Sequence, residues 1–456
     1  MAKYATINPA TGEKVAEYDV ISDSEASRIT DTAAQAYVSW KKTELVTRTD
    51  ILRKVAELHR ERADELAAIL TLEMGKTKSQ ALGEVALVAN IYQYYADKAA
   101  EFMADEHLTI AGSGSAYVRT EPVGVLVGIM PWNYPYYQVA RFAAPNIALG
   151  NTIILKHARN CPQSALAIEN LFREAGLPTG VYTNAFASAA QIADMIADPR
   201  VQGVSLTGSE RAGSAVGEVA GRHMKKYVLE LGGSDPLIVL DDADLDAAAT
   251  GAAVGRLGNA GQACTATKRI IVLDSVYDEF VAKFVAAVQT YATGDPTSED
   301  TKLGPMSSTE ALKDLDELVQ DAVDKGATVL AGGAQMDYSG AFYPATLLTD
   351  VTENMRAFRE ELFGPAGVVY RVTDEDEAVE LANNSPFGLS SSIFTKDTAR
   401  AERLAARLEA GMVWINSTSK SAPDLPFGGV KASGVGRELA RFGFNEFANK
   451  KLVRIP

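Results

Sequence analysis

Residues 123–156 read VGVLVGIMPWNYPYYQVARFAAPNIALGNTIILK, and the pattern in this stretch sets the prediction for the rest of the chain. An apolar run at 124–130 ends in a Pro-Trp-Asn-Tyr-Pro turn. A helix-like segment covers 140–149, and a second apolar run follows at 152–156. Parallel strands need a crossover connection, usually a helix, so this alternation predicts a strand–helix–strand unit of a parallel sheet.

The same alternation extends in both directions along the chain. Strands are predicted at 181–186, 204–207 and 227–231, with helices at 162–174, 189–197 and 210–223. The first hundred residues have mainly helical periodicity, through 51–69 and 84–102. A second series has strands at 237–240, 270–273, 328–331 and 413–416. Right-handed crossovers then give an α/β fold with two doubly wound parallel-sheet domains.

Two segments fit neither series, roughly 104–121 and the stretch after residue 436. Extended segments of this kind are predicted to pair with another subunit, as a small oligomerisation β element in a homodimer or homotetramer. No internal repeat or low-complexity tract interrupts the chain.

Composition narrows the possible functions. The chain has 456 residues, 44 Lys+Arg against 59 Asp+Glu, a net charge of −15 and 47% hydrophobic residues. This length suggests two or three domains, and the acidity argues against nucleic acid or an anionic membrane as a partner. The two cysteines exclude a disulfide framework, and with no signal-like N-terminus we expect a cytoplasmic protein. No metal-ligand spacing occurs, so no metal is expected.

Cys264 is the first candidate for chemistry. It lies in the run NAGQACT at 259–265, shortly before the strand predicted at 270–273. Glycine-punctuated backbone can present a thiol and its own amide N–H in one small space, as a nucleophile with an oxyanion site requires. The alternative is a buried, unreactive cysteine. Cys161, beside Pro162, fits that alternative better.

A thiol needs a base or a positive environment to react at neutral pH, and none of the four histidines has surroundings that suggest a Cys–His pair. Glu230 ends an otherwise apolar strand before two glycines, and a partly desolvated carboxylate there would have a raised pKa suited to general-base work. Alternatively, Glu230 reaches solvent at the strand end.

Other candidates lie where predicted strands end. Asn133, after the strand at 124–130, can donate its amide to an oxyanion, unless its turn is only rigid structure. Gly208 and Ser209 open a helix that can receive a phosphate or is simply capped. Lys156 is placed for a ribose or phosphate, although strand-end lysines are usually solvated. The usual G-x-G-x-x-G and phosphate-loop motifs are missing.

Together these motifs resemble the aldehyde dehydrogenase superfamily over essentially the whole chain. The matching segments, in family order, are PWN at 131–133, LTGS at 206–209 with Gly213, ELGG at 230–233, GQ-x-C ending at Cys264, EELFGP at 360–365 and PFGG-x-K-x-SG from 426. The resemblance implies a dinucleotide-binding domain at 1–103 and 123–230, a catalytic domain at 231–420, and an oligomerisation element formed by 104–122 and 421–456.

The resemblance also implies a covalent mechanism. The Cys264 thiolate attacks an aldehyde carbon, and Asn133 and the Cys264 N–H hold the oxyanion of the thiohemiacetal. Hydride leaves for a nicotinamide, and Glu230 deprotonates the water that hydrolyses the thioester to a carboxylate.

The implied cofactor contacts include Glu361 at the nicotinamide-side ribose, Phe363 against the nicotinamide and Lys156 at the adenosine ribose. Where NAD-preferring members commonly have a Glu, this chain has Arg159, and a cation there can pair with a 2′-phosphate. NADP is therefore the expected cofactor, with NAD also used if Arg159 points to solvent. The full expected set is Trp132, Lys156, Arg159, Gly208, Ser209, Gly213, Leu231, Glu361 and Phe363.

The substrate prediction depends on Arg141. Family members acting on succinate semialdehyde have an arginine at this position that holds the distal carboxylate. Gln138 lies one helical turn earlier on the same face, and Ser421 resembles a serine that assists. An inter-domain salt bridge is the alternative for Arg141. The sequence resembles the bacterial enzymes for this substrate, and predicts oxidation of succinate semialdehyde to succinate.

Three alternatives stay open at this point. The first is a dehydrogenase of aromatic or other aliphatic aldehydes, and the aromatic walls of Tyr136 and Tyr137 suit an aromatic aldehyde. A non-catalytic binding or structural protein on the same fold is disfavoured by the intact trio of Cys264, Glu230 and Asn133. A cysteine hydrolase that uses no nucleotide is the third.

Overall fold

The structure is a computed structural model and describes residues 3–456. Its first part combines a short hairpin with helices; the elements are β1 (Tyr4–Ile7), β2 (Lys14–Tyr18), α1 (Asp23–Trp40), α2 (Leu45–Glu61), α3 (Ala63–Met74) and α4 (Lys78–Met103). The next part alternates strands and helices; its elements are β3 (Glu106–Leu108), β4 (Ser115–Pro122), β5 (Val125–Met130), α5 (Pro135–Leu149), β6 (Thr152–His157), α6 (Pro162–Glu174), β7 (Tyr182–Asn184), α7 (Ala189–Ala197), β8 (Val201–Thr207), α8 (Glu210–Arg222) and β9 (Lys226–Glu230).

The remaining part holds the second series and the C-terminal strands. Its elements are β10 (Asp235–Val239), α9 (Leu245–Leu257), β11 (Thr267–Leu273), α10 (Asp274–Gln289), α11 (Thr309–Asp324), β12 (Thr328–Ala331), β13 (Thr346–Thr349), α12 (Arg356–Arg359), β14 (Ala366–Val372), α13 (Glu375–Asn383), β15 (Phe387–Gly388), β16 (Ser390–Phe394), α14 (Thr398–Ala405), β17 (Met412–Ile415), β18 (Val430–Lys431), β19 (Gly434–Val435), α15 (Ala440–Glu446) and β20 (Ala448–Ile455).

The first large sheet has six strands in the order β19-β9-β8-β5-β6-β7. Strands β5 to β9 pair in parallel, and β19 is antiparallel at the edge. Leu126 of β5 packs into a cluster with α4, α5 and α6, whereas its neighbours Val125 and Val127 pack into another with α1 and α7. Because successive side chains of a strand point to opposite faces, helices cover both faces of this sheet.

The second large sheet has seven strands in the order β12-β13-β14-β11-β10-β16-β17, parallel except for the β12–β13 pair. Ile238 and Leu237 of β10 again enter two different apolar clusters, one on each face. Two doubly wound sheets are therefore confirmed. Strands β13, β14 and β16 were not predicted, because their short apolar runs are also compatible with buried helix.

A third sheet, in the order β20-β4-β3, is formed from the segments that fit neither series. Pairing of β4 with β20 joins the 104–122 segment to the C-terminus. The assignment of all of 421–456 to this small element is too broad, since β19 joins the first large sheet and β18 pairs with β15. The hairpin of β1 and β2 was also missed within a region predicted as mainly helical.

The fold places the candidate site between the two large sheets. Glu230 ends β9, and Asn133 follows β5, so both lie at the carboxyl edge of the first sheet. Cys264 precedes β11 and thus lies at the amino edge of the second sheet. In the described part of the chain, no helix combines the length and apolar character needed to cross a membrane.

Candidate active site

Cys264 lies in a loop, residues 258–266, that connects α9 to β11 and is called the cysteine loop below. The loop opens with a tight turn, Gly258–Gly261, in which residues 259–261 take left-handed φ angles of 55°, 51° and 70°. Such angles are unfavourable for residues with a Cβ and cluster at functional sites. A Cβ on Gly261 would lie 2.2 Å from the Gly364 carbonyl oxygen, so glycine is required there.

Hydrogen bonds join the cysteine loop to the turn after β5. The side-chain amide of Asn133 donates to the Gln262 carbonyl oxygen at 3.0 Å, and Asn259 donates to the Asn133 carbonyl oxygen at 2.9 Å. The Gln262 side chain accepts from the Ser307 N–H at 2.8 Å. The structure therefore brings Asn133 and the cysteine loop together, and the Asn133 amide keeps a second hydrogen for a ligand.

The Cys264 thiol is half-buried and free. Burial raises the pKa of this thiol to about 12; Arg141 and Lys268 oppose that rise, and Glu361 and Glu230 add to it. The resting sulfur is therefore a thiol at neutral pH, and positive charge in the site favours its reactive thiolate.

Glu230 is held at the end of β9 by main-chain bonds, since the Gly208 N–H donates to its carbonyl oxygen at 2.9 Å. Its side chain is 1% exposed, and neither carboxyl oxygen has a hydrogen-bond partner among residues 3–456. Burial raises its pKa well above the ordinary value; Arg141 opposes this rise and Glu438 adds to it. A desolvated, unpartnered carboxyl with a raised pKa is suited to accept a proton from water.

Two glycines after Glu230 allow the close approaches that assemble the site. A Cβ on Gly233 would lie 2.4 Å from the Cys264 carbonyl oxygen. A Cβ on Gly232 would lie 2.3 Å from a Glu210 carboxyl oxygen and 2.8 Å from one of Glu361. Two carboxylates therefore converge on this backbone, and Glu210 was not identified from the sequence.

A cavity of about 450 Å³ lies beside the cysteine loop and is lined in part by Trp132, Arg159, Glu361 and Phe363. All four were predicted to contact the cofactor, and the structure brings them together. The rings of Trp132 and Phe363 meet edge to face, with centroids 5.7 Å apart.

Glu361 is anchored through one of its oxygens. Its Oε1 accepts from the Gly233 N–H at 3.2 Å and lies 2.9 Å from the Lys268 Nζ. The other oxygen makes no hydrogen bond within the described chain, and the side chain is 17% exposed, so it can accept from a ligand hydroxyl. Lys268 was missed in the sequence, although a Lys-Arg pair inside an apolar strand was the signal that could have found it.

Lys156 and Arg159 are two cations without a carboxylate partner in the part of the chain that the structure describes. The Lys156 Nζ donates only to the His157 carbonyl oxygen, at 3.2 Å, and Arg159 is exposed. Burial and the neighbouring Arg159 lower the pKa of Lys156 to about 8. An anion between the two would relieve this repulsion, so the pair fits a phosphate-bearing ligand.

The predicted phosphate-binding turn has the structure of a capped helix. The Ser209 hydroxyl accepts from the Ala212 N–H at 3.4 Å at the start of α8. A Cβ on Gly213 would lie 2.6 Å from the Leu231 side chain, so Gly213 lets α8 pack against the segment after β9. A Cβ on the adjoining Gly208 would lie 3.6 Å from the Leu206 side chain, an ordinary contact, so this position does not require glycine for space.

The three predicted substrate residues have different environments. Arg141 is buried and forms an ion pair through Nε with Glu438; it also donates to Tyr137 at 3.3 Å and to Thr207 at 3.2 Å. The Tyr137 hydroxyl donates to Ser421 at 2.8 Å, so Tyr137 links Arg141 to Ser421. The buried Gln138 takes no part in this network, and its Oε1 has no partner within residues 3–456.

The link through Tyr137 was not found from the sequence, whereas a salt bridge was the alternative given there for Arg141, and the structure identifies Glu438 as the partner. Burial acts to lower the pKa of Arg141, but Glu438 and Tyr137 outweigh it and leave the guanidinium charged. Its Nε and both terminal nitrogens each have a contact, yet a guanidinium has more N–H donors than these contacts use. Among the described residues, no cluster of His, Cys, Asp or Glu could hold a metal ion.

Comparison with known proteins agrees with this geometry. Residues 2–453 match the model of the aldehyde dehydrogenase family. An NADP-dependent succinate-semialdehyde dehydrogenase of Deinococcus radiodurans is 55% identical over 451 residues, which cover 99% of this chain and 94% of that protein. One from Mycobacterium tuberculosis is 44% identical, with 99% of both chains covered. The crystal structure of a Streptococcus pyogenes succinic semialdehyde dehydrogenase with NADP+ is similar with a TM-score of 0.97 at 44% identity, covering 99% of this chain and 100% of that one.

Proposed function

The chain belongs to the aldehyde dehydrogenase family, and we propose that it oxidises succinate semialdehyde to succinate with NADP through an acyl intermediate on Cys264. The observation that carries the proposal is the hydrogen bond from Asn133 to the Gln262 carbonyl, which joins an oxyanion donor to the cysteine loop. The unpartnered carboxyl of Glu230, whose charge acts on the same thiol, supplies the base.

The first step is bond formation at sulfur. The Cys264 thiol first loses its proton to solvent; the thiolate then attacks the aldehyde carbon, a C–S bond forms, and the carbonyl π electron pair moves to oxygen. The second hydrogen of the Asn133 amide and the Cys264 N–H stabilise that oxygen, an effect worth about 3–4 kcal/mol per donor in comparable sites. Arg141 and Lys268 favour the thiolate that starts the step.

NADP fits the residues that line the cavity beside the cysteine loop. Glu361 offers a carboxylate oxygen with no partner in the described chain for ribose hydroxyls, and Trp132 and Phe363 form an aromatic wall. Lys156 and Arg159 are the unpaired cations for the adenosine ribose and its 2′-phosphate. At the start of α8, packed through Gly213 and Leu231, the Gly208 N–H is used by the Glu230 carbonyl oxygen, and the Ser209 N–H and hydroxyl would be the groups that meet the pyrophosphate. When bound, the nicotinamide supplies the oxidising equivalent by accepting hydride.

Hydrolysis of the acyl group depends on Glu230. Its carboxylate removes a proton from water as the water oxygen attacks the acyl carbon. The C–S bond then breaks, and its electrons return to the Cys264 sulfur. Because the pKa of Glu230 is raised, we expect this step to slow as the pH falls and the carboxyl keeps its proton.

The substrate class rests on the network of Arg141, Tyr137 and Ser421. We propose that the distal carboxylate of the substrate takes the remaining guanidinium donors of Arg141, with the Tyr137 and Ser421 hydroxyls beside them. Gln138 supplies a nearby amide. A second candidate is an aldehyde without a distal charge, which the existing ion pair of Arg141 with Glu438 favours.

Steady-state turnover with a panel of aldehydes separates these candidates. We expect kcat/KM to be highest for succinate semialdehyde and to fall about a hundredfold in Arg141→Met, while kcat/KM for an uncharged aldehyde of the same length falls much less. Equal losses for both aldehydes would show that Arg141 is structural and would favour the second candidate.

Cofactor choice has its own test in Arg159. Arg159→Ala should raise the KM for NADP about tenfold or more and leave the KM for NAD nearly unchanged, since only NADP has the 2′-phosphate. Arg173→Ala, an exposed arginine on α6, is the matched control. Comparable efficiency of the unmodified protein with both cofactors would contradict the role given to Arg159.

Assembly and location complete the proposal. β20 leaves Leu452 61% and Ile455 50% exposed on the small sheet, which supports a homodimer or homotetramer that covers them. Light scattering coupled to size exclusion tests the assembly, and a monomer at micromolar concentration would contradict it. Both cysteines are free thiols, which supports a reducing compartment such as the cytoplasm.

A further inference from the structure

Lys268, the second residue of β11, is a buried cation between the cysteine loop and Glu361. Its side chain is 1% exposed. The Nζ donates to the carbonyl oxygens of Ala263 and Cys264, each at 2.9 Å, and lies 2.9 Å from the Glu361 Oε1. These are as many acceptors as an ammonium group has hydrogens, so the position of Lys268 is fully determined by protein contacts.

The hydrogen bond from Lys268 to the Ala263 carbonyl oxygen fixes the direction of the Cys264 N–H. The peptide unit that begins with the Ala263 carbonyl ends with the N–H of Cys264. Because a peptide bond is planar and trans, the carbonyl oxygen and that N–H point in opposite directions. By holding the oxygen, Lys268 turns the Cys264 N–H away from itself, and within residues 3–456 this N–H donates to no acceptor. A cation on the carbonyl oxygen also strengthens the N–H as a donor.

The contact of Lys268 with Glu361 fixes the position of the carboxylate predicted to bind the cofactor. Glu361 follows the short helix α12 and belongs to no strand, so its side-chain position depends on Lys268 and the Gly233 N–H. Its second oxygen converges with the Glu210 carboxylate at Gly232. Lys268 opposes the negative charge that gathers there, and its charge lowers the pKa of Glu210 against the larger effect of burial.

We propose that Lys268 is a positioning residue that aims the Cys264 N–H at the reacting oxygen and holds Glu361 at the ribose of the cofactor. One ammonium group thereby sets the placement of the nucleophile's oxyanion donor relative to the hydride acceptor. This inference rests on the proposed function, but its main readouts need no turnover.

The test variant is Lys268→Met, which keeps a long apolar side chain and removes the charge and all three contacts. Arg269→Met is the matched control. Arg269 is the next residue of the same strand, is equally buried, and donates to the carbonyl oxygens of Ser234, Leu381 and Ala382 at 2.9, 2.8 and 2.8 Å. Both variants lose a buried cation with three contacts, but Arg269 touches neither the cysteine loop nor Glu361.

Three measurements are made on each variant. In cofactor-free protein, iodoacetamide should alkylate Cys264 about tenfold more slowly at pH 8 in Lys268→Met, equivalent to about one pKa unit. Binding of NADP+ followed by tryptophan fluorescence should weaken about tenfold, since Glu361 loses its anchor. The kcat should fall about a hundredfold with a smaller change in the aldehyde KM, as expected for a misdirected oxyanion donor.

The direction in which the Cys264 alkylation rate changes separates the effect of Lys268 from a general loss of structure. Glu361→Gln removes a negative charge that raises the pKa of Cys264, so its alkylation should become faster, whereas Lys268→Met makes it slower. Damage to the fold would move both variants in the same direction.

The inference is overturned if Lys268→Met and Arg269→Met have the same alkylation rate and the same affinity for NADP+. If Lys268→Met does not fold, Lys268→Gln provides the second variant, and wild-type alkylation and NADP+ affinity there would contradict the inference. Failure of the unmodified protein to oxidise any aldehyde would instead contradict the proposed function.

Discussion

The two cysteines of this chain lie in regions built from similar parts. Cys161 precedes α6 and is 0% exposed, and a buried pair of Lys76 with Glu84 lies nearby. Cys264 is half-buried and lies beside the pair of Lys268 with Glu361. Burial raises the pKa of both thiols above the ordinary value. The regions therefore do not differ in having a cation or a shifted pKa.

The two regions differ in whether a carboxylate oxygen remains free to bind a ligand. One carboxylate oxygen of Glu84 accepts a hydrogen bond from the Lys76 ammonium group. The other accepts from the N–H groups of Tyr136 and Tyr137 at 2.9 and 3.1 Å. That carboxylate is fully used within the protein, at the start of α5. Glu361 has one such oxygen and one without a protein partner in the described chain. A buried Lys–Glu pair is structural where every polar atom is satisfied internally, and it can bind a ligand where one atom is not.

The largest expected difference between the two regions is in turnover. Cys264→Ser should lower kcat by about a thousandfold or more, because the hydroxyl is a far weaker nucleophile at neutral pH. Cys161→Ser should stay within about twofold of the unmodified protein, apart from a small loss of stability. Initial rates of NADPH formation check both, and a comparable loss in Cys161→Ser would remove the distinction between the regions.

Substitution of Glu84 should mainly lower stability, whereas substitution of Glu361 should mainly weaken NADP+ binding. Glu84→Gln leaves the buried Lys76 uncompensated and should lower the free energy of unfolding by about 3–5 kcal/mol. Glu361→Gln should cost clearly less stability, because Lys268 keeps its bonds to two carbonyl oxygens and Glu361 is 17% exposed, yet weaken NADP+ binding by about tenfold. Chemical denaturation and fluorescence titration measure the two effects. An equal stability loss in both variants would mean that Glu361 is as structural as Glu84.

Thiol accessibility sharpens the comparison without turnover. Iodoacetamide should modify Cys264 on the order of a hundredfold faster than Cys161 in folded protein, because alkylation needs an exposed thiolate. In denaturant the two rates should converge. Peptide mass spectrometry as a function of time gives both rates, and fast modification of Cys161 in the native protein would show that its region opens.

The smallest effect concerns a second carboxylate in each region. Glu73 near Cys161 accepts from Thr6, Gln163 and Ser164, whereas Asp235 near the cysteine loop accepts from Ser390 and has one oxygen unpartnered among the described residues. Burial raises the pKa of Asp235 to about 7. Its folded form therefore holds a proton more tightly than its unfolded form, and stability is lost as the pH rises from about 4 through 7.

Asp235→Asn should remove that loss. The free energy of unfolding should increase by about 1–3 kcal/mol at pH 8 and change little near pH 4, because the neutral amide cannot ionise. Denaturant titrations at the two pH values provide the check. A gain that is independent of pH would mean that the Asp235 carboxyl does not ionise in this range.

The sequence predicted the parts of the molecule whose signals are local. The bounds of α6 and α7 agree with the prediction because Pro162 and Ser188 mark their starts. Cys264 and Glu230 could be singled out because glycines and strand ends surround them. The contacts of Lys268 with Glu361 and of Arg141 with Glu438 join residues far apart in the chain, and neither partner has a local pattern that reveals the other. The same holds for the β1–β2 hairpin, whose strands are too short and polar to be read from periodicity.

The central claim is that Cys264 carries the acyl group and that Glu230 is needed to release it. The most direct measurement is intact and peptide mass spectrometry of Glu230→Gln after mixing with succinate semialdehyde and NADP. We predict one turnover of NADPH formation per site and a succinyl group on the peptide that contains Cys264, with the Cys161 peptide unmodified. Full multiple turnover with no adduct on Cys264, or an adduct on Cys161, would contradict the account.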